Sequence, residues 1–310
     1  MSTKKKRPAK RVPTLSASHL YDMHCHVSFA DDPRALAYAA GAAGIEALSA
    51  TVLPTEYRTA RNEFDSYPHI HVALGLHPWW VADGNATEED LRLFERLAPT
   101  APLIGEIGLD FTRERGEGAA RRHQSEALER ALIACCADSE SDAEDRRDTP
   151  DLQARPQANC KPPHVAPHAA SHAPHCTRKT ITLHAVRSAG TVLDLLVRTG
   201  AAAQHACIFH WFSGTSDELH RAIEIGCSFS VGPRMLATKR GRAYAQAIPA
   251  ARLLLETDEP PRQGAPFAAD TWKAQLESIL AQLADLRRTD AEQLRAQIAA
   301  NSCILLRENS

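Results

Sequence analysis

Eight short, apolar, β-rich runs punctuate the sequence, and helix-like stretches separate them. The runs are Leu20–Met23, Ile45–Leu53, His69–Leu76, Leu103–Leu109, Thr180–His184, Ala206–Phe209, Cys227–Val231 and Arg252–Leu255. Between them, Pro33–Ala43, Thr87–Leu97, His123–Cys136, Ala189–Thr199 and Asp217–Ile225 have the spacing of helices with one apolar face. After the eighth run, Trp272, Leu276, Ile279, Leu283 and Leu286 recur at intervals of four and three and mark one helix face. Thr289-x-x-Glu292 reads as a capping box that opens a last helix. Strands that alternate with helices eight times predict an α/β fold, a (β/α)8 TIM barrel, because each parallel pair needs a crossover to cover its face.

One interval departs from this rhythm. Between the fourth and fifth strands, residues 137–179 have no apolar period. Seven acids lie between Asp138 and Asp151, and four prolines, four histidines and two cysteines lie between Cys160 and Cys176. This composition predicts a disordered, low-complexity insertion before strand five rather than a second domain. Its His164, His168, His172 and His175 have a spacing that could ligate zinc on a helix, but Pro167 and Pro174 interrupt one. Residues 1–18 read as a disordered basic tail, leaving residues 19–310 as one interrupted barrel domain. The net charge of −2 hides that tail: six basic residues fall in residues 1–12, and the remainder carries 30 basic against 38 acidic residues. A mildly acidic body does not advertise a polyanion partner. No run approaches the roughly 18 apolar residues of a membrane helix. No apolar segment follows the basic start, and the eight cysteines include no Cys-x-x-Cys. A cytoplasmic protein with reduced thiols is expected, with no membrane partner and a monomeric state.

The strand ends carry the chemistry. In sequence they read Asp22-Met23-His24-Cys25-His26, Gly75-Leu76-His77-Pro78, Gly105-Glu106-Ile107-Gly108-Leu109-Asp110, Leu183-His184, His210-Trp211-Phe212-Ser213-Gly214 and Glu256-Thr257-Asp258-Glu259-Pro260. Taken singly, each residue has an ordinary explanation as a hydrogen-bonded histidine, an ion-paired acid or a helix cap. In a barrel, however, these ends form one ring. His24, His26, His184, His210, Glu106 and Asp258 then make six ligands, too many for one catalytic metal and enough for two bridged by the glutamate. Asp22 and Asp110 are candidates to orient the histidines.

The motifs DMHCHVSF, GLHPWW, IGEIGLDF, TLHAVRSAG, HWFSG and LLLETDEPP, with the late Asn301, resemble in order the signature of the TatD family of the amidohydrolase superfamily. The resemblance covers about residues 20–136 and 180–307. It implies a divalent-metal-dependent deoxyribonuclease or phosphodiesterase, 3′–5′ exonuclease-like, using a water activated by two ions of Mg, Mn or Zn. It also implies that His24 and His26 hold the first ion, that Glu106 bridges to a second held by His184 and His210, and that Asp258 is a ligand that positions the attacking water. His77, Arg187 and Ser213 would meet the substrate phosphate of DNA or a small phosphodiester. The chain departs from the family pattern in three places. Arg187 lies one position later than the family's His-x-Arg, Trp211 replaces a cysteine, and Glu259-Pro260-Pro261-Arg262 follows the last aspartate.

Two phosphate-grasping ions suit in-line hydrolysis of a phosphodiester, and no GxxxxGK[ST] loop competes. Trp79, Trp80 and Trp211, with Arg187, Arg234, Lys239, Arg240 and Arg242, are candidates for a strand-binding rim. Two other functions remain open at this point. One is a small-molecule amidohydrolase cleaving C–N or C–O bonds. The other is a non-enzymatic metal- or partner-binding protein working through its His-rich insertion and tail.

Overall fold

The computed structural model describes residues 19–112, 115, 117–137 and 178–307. The predicted tail and nearly all of the predicted insertion lie outside these residues. The eight strands are β1 (Leu20–Cys25), β2 (Ile45–Ala50), β3 (Ile70–Leu76), β4 (Leu103–Asp110), β5 (Thr180–Val186), β6 (Ala206–His210), β7 (Ser228–Val231) and β8 (Leu253–Leu255). They pair in sequence order and all in parallel. Among the described residues the helices are α1 (Pro33–Ala43), α2 (Pro54–Glu63), α3 (Pro78–Ala82), α4 (Glu88–Leu97), α5 (Gly118–Cys136) and α6 (Ala189–Arg198). They continue as α7 (Ala201–Gln204), α8 (Ser216–Glu224), α9 (Pro233–Leu236), α10 (Lys239–Ala247), α11 (Ala269–Arg287) and α12 (Ala291–Arg307). The TIM-type barrel read from the sequence is what the chain forms.

The first and last strands close the ring without a regular ladder. Asp258 donates its backbone N–H to the His24 carbonyl at 2.9 Å, and His26 donates to the Glu259 carbonyl at 2.8 Å. Beneath them the buried Asp22 carboxylate accepts from the backbone N–H of His24 and Thr257, the Thr257 hydroxyl and the Trp272 indole. One side chain therefore joins β1, the end of β8 and α11.

The core has two layers. Tyr21, Met23, Leu48, Ala73, Leu103, Ile208 and Leu254 fill the lumen, and Leu306 of α12 joins them. A larger layer packs between strands and helices, and includes Cys25, Ile104 and Ile107. Strict alternation would place Met23 and Cys25 on one face. Instead the β1–β2 register shifts between Asp22 and Cys25, and the β4–β5 register shifts between Ile104 and Ile107. Each irregularity changes the phase of its strand. Tyr21 and Met23 fill the lumen, and beyond the shift His24 and His26 face the upper end while Cys25 faces the helices. On β4, Leu103 lies in the lumen and Glu106 follows it inward.

Predicted and observed helices agree where one face is strongly apolar. Thr87 caps α4 through a reciprocal box with Asp90, as its spacing predicts. The last helix is capped differently from the expectation. Its Gln293 N–H bonds to the Asp290 carboxylate at 2.9 Å, so Asp290, rather than Thr289, serves the helix start. The spacing of apolar residues marks no helix at α2, α3, α7, α9 or α10. Three of these span five residues or fewer. The other two are mostly polar, and Gly241 in α10 is required because a Cβ there would lie 2.0 Å from the Met235 carbonyl.

Candidate metal centre

His24 and His26 meet Glu106 and Asp258 at the carboxyl end of the barrel. His24 Nε2 lies 3.4 Å from Glu106 Oε2 and 3.7 Å from Asp258 Oδ1. His26 Nε2 lies 3.7 and 3.4 Å from the same two oxygens. The far nitrogen of each ring is anchored. His26 Nδ1 donates to the Ala50 carbonyl at 3.1 Å, so Nε2 is the nitrogen that faces the acids. His24 Nδ1 is 3.0 Å from the Thr182 hydroxyl. Glu106 turns its other oxygen to a second pair. Oε1 is 2.6 Å from His184 Nδ1 and 2.7 Å from His210 Nε2. His184 Nε2 in turn donates to Asp110 Oδ2 at 3.0 Å, and that oxygen also accepts from the Trp79 indole at 2.6 Å. Thus Asp110 orients His184, whereas Asp22 acts on the backbone around His24 and Asp258.

These residues fit divalent cations. Among the described residues, three groups place ligand atoms within 4.8 Å of one another: His24–His26–Asp258, His24–Glu106–His210 and His77–Glu106–His184. His24 Nε2 is fully buried and has no hydrogen bond, a poor arrangement unless a cation supplies the partner. Imidazole and carboxylate donors with anchored far sides are the usual dress of such ions. His77 is different. Its Nδ1 accepts the Trp79 N–H at 3.1 Å, so in the neutral ring the proton sits on Nε2, 3.3 Å from Glu106 Oε2. In that tautomer the nitrogen is a donor facing the cleft.

With this geometry in place, the relatives are informative. The TatD-related DNase profile matches residues 21–136 and 168–307. The chain belongs to the TatD family. It is 28% identical over 280 residues to the 3′-5′ ssDNA/RNA exonuclease TatD of Citrobacter rodentium, covering 88% of this chain and 89% of that one. Its fold is similar to the crystal structure of a TatD homologue from Escherichia coli K12, with a TM-score of 0.66 at 20% identity over 94% of this chain and 99% of that chain. A TatD-family hydrolase from Entamoeba histolytica gives 0.65 at 14% identity, again over 94% and 99%. Like its family, the chain is a metal-dependent hydrolase with a cluster able to hold metal.

The TatD centre is strongly polarised. Burial opposes charge on Glu106, but the surrounding histidines hold its carboxyl well below the usual range. Burial likewise opposes charge on His26, yet the hydrogen bond and charge of Asp258, with Glu106, raise it to about 9. Burial also opposes His184, and Glu106 and Asp110 together raise it to about 9. Burial lowers His24 to about 4 and His77 to about 3, so both rings are neutral near pH 7. A stability prediction follows for the metal-free protein. His26 and His184 are raised above their ordinary 6.5, so their contribution is complete below pH 6.5 and is lost as pH rises through 9. The melting temperature in chelator should therefore fall between pH 6.5 and 9, and bound cations, which replace those protons, should flatten the slope. Calorimetric scans of stripped and Mn²⁺-loaded protein across that window check it.

A cleft of about 340 Å³ opens beside the cluster. Phe29, Val52, Trp79, Trp80, Trp211 and Pro261 form its apolar walls, and His26, His77, Glu106, His184, His210 and Asp258 face it. His24 lies beneath, wholly buried. The structure does not bring Arg187 or Ser213 into this cleft. Arg187 takes a positive φ of 54° just past β5, and the Ser213 carbonyl accepts from Arg240 in a separate depression. Arg242 bonds the Leu236 carbonyl. Among the described residues Arg234 is the one Arg or Lys lining the cleft, and Asp110 lines it as well. Glu256 was not singled out in the sequence. It is buried, accepts from the Ser230 hydroxyl and lies 3.9 Å from His210 Nδ1, and its signal was only its place two residues before Asp258.

Proposed function

We propose that this chain is a two-metal phosphodiesterase that shortens single-stranded DNA or RNA from an end. The observation that carries the reading is the division of Glu106: Oε1 faces His184 and His210, and Oε2 faces His24 and His26. A carboxylate flanked on both oxygens by histidine pairs suits a bridge between two ions. His24, His26 and Asp258 would hold one and His184 and His210 the other. When bound, such ions neutralise the phosphate and activate water.

The remaining steps belong to the side chains. Asp258, with Oδ1 toward the cluster, orients the attacking water and accepts its proton. His77, neutral and donating through Nε2, hydrogen-bonds a phosphate oxygen whose charge grows during attack. The apolar cleft walls exclude water and give a terminal base surfaces on which to stack. A volume near the lower end for ligand pockets accommodates one nucleotide rather than a duplex, which favours action at an end. The curated relatives carry the name 3′-5′ ssDNA/RNA exonuclease, which supports the same substrate and polarity.

The test uses metal-stripped protein with single-stranded DNA labelled at the 5′ or the 3′ end, with and without Mg²⁺ or Mn²⁺. Metal-restored stepwise ladders from the 5′ label, with early release of the 3′ label, are expected. A protein with filled metal sites that cleaves no strand would move the substrate to a small ester, amide or phosphodiester.

A further inference from the structure

Arg234 occupies a position that neither strand ends nor metal chemistry require. It follows Gly232-Pro233 at the start of α9, above β7, a strand whose end supplies no side chain to the cluster. Its Nη1 donates to Asp258 Oδ2 at 2.6 Å. Asp258 Oδ1, by contrast, faces His24 and His26. The guanidinium also lies over the Trp211 ring, 5.3 Å from its centroid. The side chain is 49% exposed while Asp258 is 14% exposed, so the pair spans the boundary between cleft mouth and buried cluster. Among the described residues the other N–H groups of Arg234 have no hydrogen-bond partner. A guanidinium presents donors in a planar fork suited to two oxygens of one anion, and the indole beneath fixes that plane.

We propose that Arg234 is the residue by which this site selects an anionic phosphodiester. It holds the outer oxygen of Asp258 so that the inner one faces the cluster, and it offers its free N–H groups to a nonbridging phosphate oxygen of the substrate. This inference rests on the phosphodiester reading above. Trp211 supports the guanidinium, which gives a physical reason for an indole at a position where the family pattern has a smaller residue.

The experiment compares wild type, Arg234→Lys, Arg234→Gln and Arg234→Ala as Mn²⁺-loaded full-length chains. Thymidine 5′-monophosphate and thymidine are the binding probes, measured by calorimetry. Bis(p-nitrophenyl) phosphate and a single-stranded oligonucleotide are the kinetic probes. Removing the charged donor should weaken thymidine 5′-monophosphate binding by about tenfold or more and leave thymidine unchanged. KM for bis(p-nitrophenyl) phosphate should rise in parallel, and lysine should restore binding in part, keeping charge without the fork. Loss of Asp258 orientation should appear separately as a lower kcat in the glutamine and alanine variants. Equal weakening of both binding probes, or unchanged binding of the monophosphate, would overturn the proposal. So would a wild type that does not bind the monophosphate at all. If the oligonucleotide resists wild type while the monophosphate and bis(p-nitrophenyl) phosphate effects hold, the nuclease reading fails and the phosphate role of Arg234 stands.

Discussion

Glu106→Gln should lower kcat/KM on single-stranded DNA by about 10³-fold or more, because one amide cannot face two cations with negative charge on both oxygens. The substitution preserves shape, so the loss would not come from a cavity. Oε1 lies within 2.7 Å of both His184 and His210, and Oε2 lies 3.4 Å from His24 and 3.7 Å from His26. A glutamine presents its NH₂ to one of these pairs, and that pair loses its shared acceptor. Metal content should fall with activity, and elemental analysis of the purified variant beside the rate measurement checks both. A glutamine variant with full metal content and wild-type turnover would remove Glu106 from the centre.

The second large effect is expected at Gly108, where alanine should destabilise the fold by about 3–5 kcal/mol through strain and overpacking combined. Gly108 has a φ of +153°, and a Cβ built on it would lie 2.0 Å from the His184 carbonyl oxygen. The obstacle is backbone, so no rotamer change relieves it. For a chain of this size that loss should lower the melting temperature by roughly 5–10 °C. The displaced backbone carries His184, so variant molecules that remain folded should also bind metal more weakly. Thermal scans and metal titration of Gly108→Ala beside wild type measure the two effects. An unchanged melting temperature would show that β4 and β5 are not held as closely as their register implies.

Much of this arrangement was legible because burial on both strand faces leaves continuous apolar runs, and a parallel barrel repeats them at near-even spacing. The clustering of the candidate metal-binding side chains was legible for a related reason: a barrel collects its strand ends, so His24, His26, Glu106, His184, His210 and Asp258 could be grouped without knowing any distance. The features that escaped are those that break a period. The register shifts in β1 and β4 carry no composition signal beyond the glycines flanking Glu106, yet they decide that His24 and Glu106 point inward. Short helices such as α3 and α9 have too few turns for an apolar stripe. As a result Arg234 was one of several rim cations in the sequence and, among the described residues, the single Arg or Lys in the cleft once α9 was placed. Arg187 and Ser213 show the converse. Adjacency to a ligand in the sequence did not bring either into the cleft, because the chain turns with positive φ at Arg187 and at Trp211 just past their strands.

The proposed bridge by Glu106 makes a spectroscopic demand that does not depend on the identity of the substrate. Two Mn²⁺ ions sharing one carboxylate sit about 3.5–4 Å apart, close enough for their spins to couple. Electron paramagnetic resonance of stripped protein titrated with Mn²⁺ should show a coupled multiline signal that saturates at two ions per chain and disappears in Glu106→Gln. A simple six-line spectrum of isolated Mn²⁺ at saturation, or a coupled signal that survives the substitution, would contradict a two-metal centre built on Glu106.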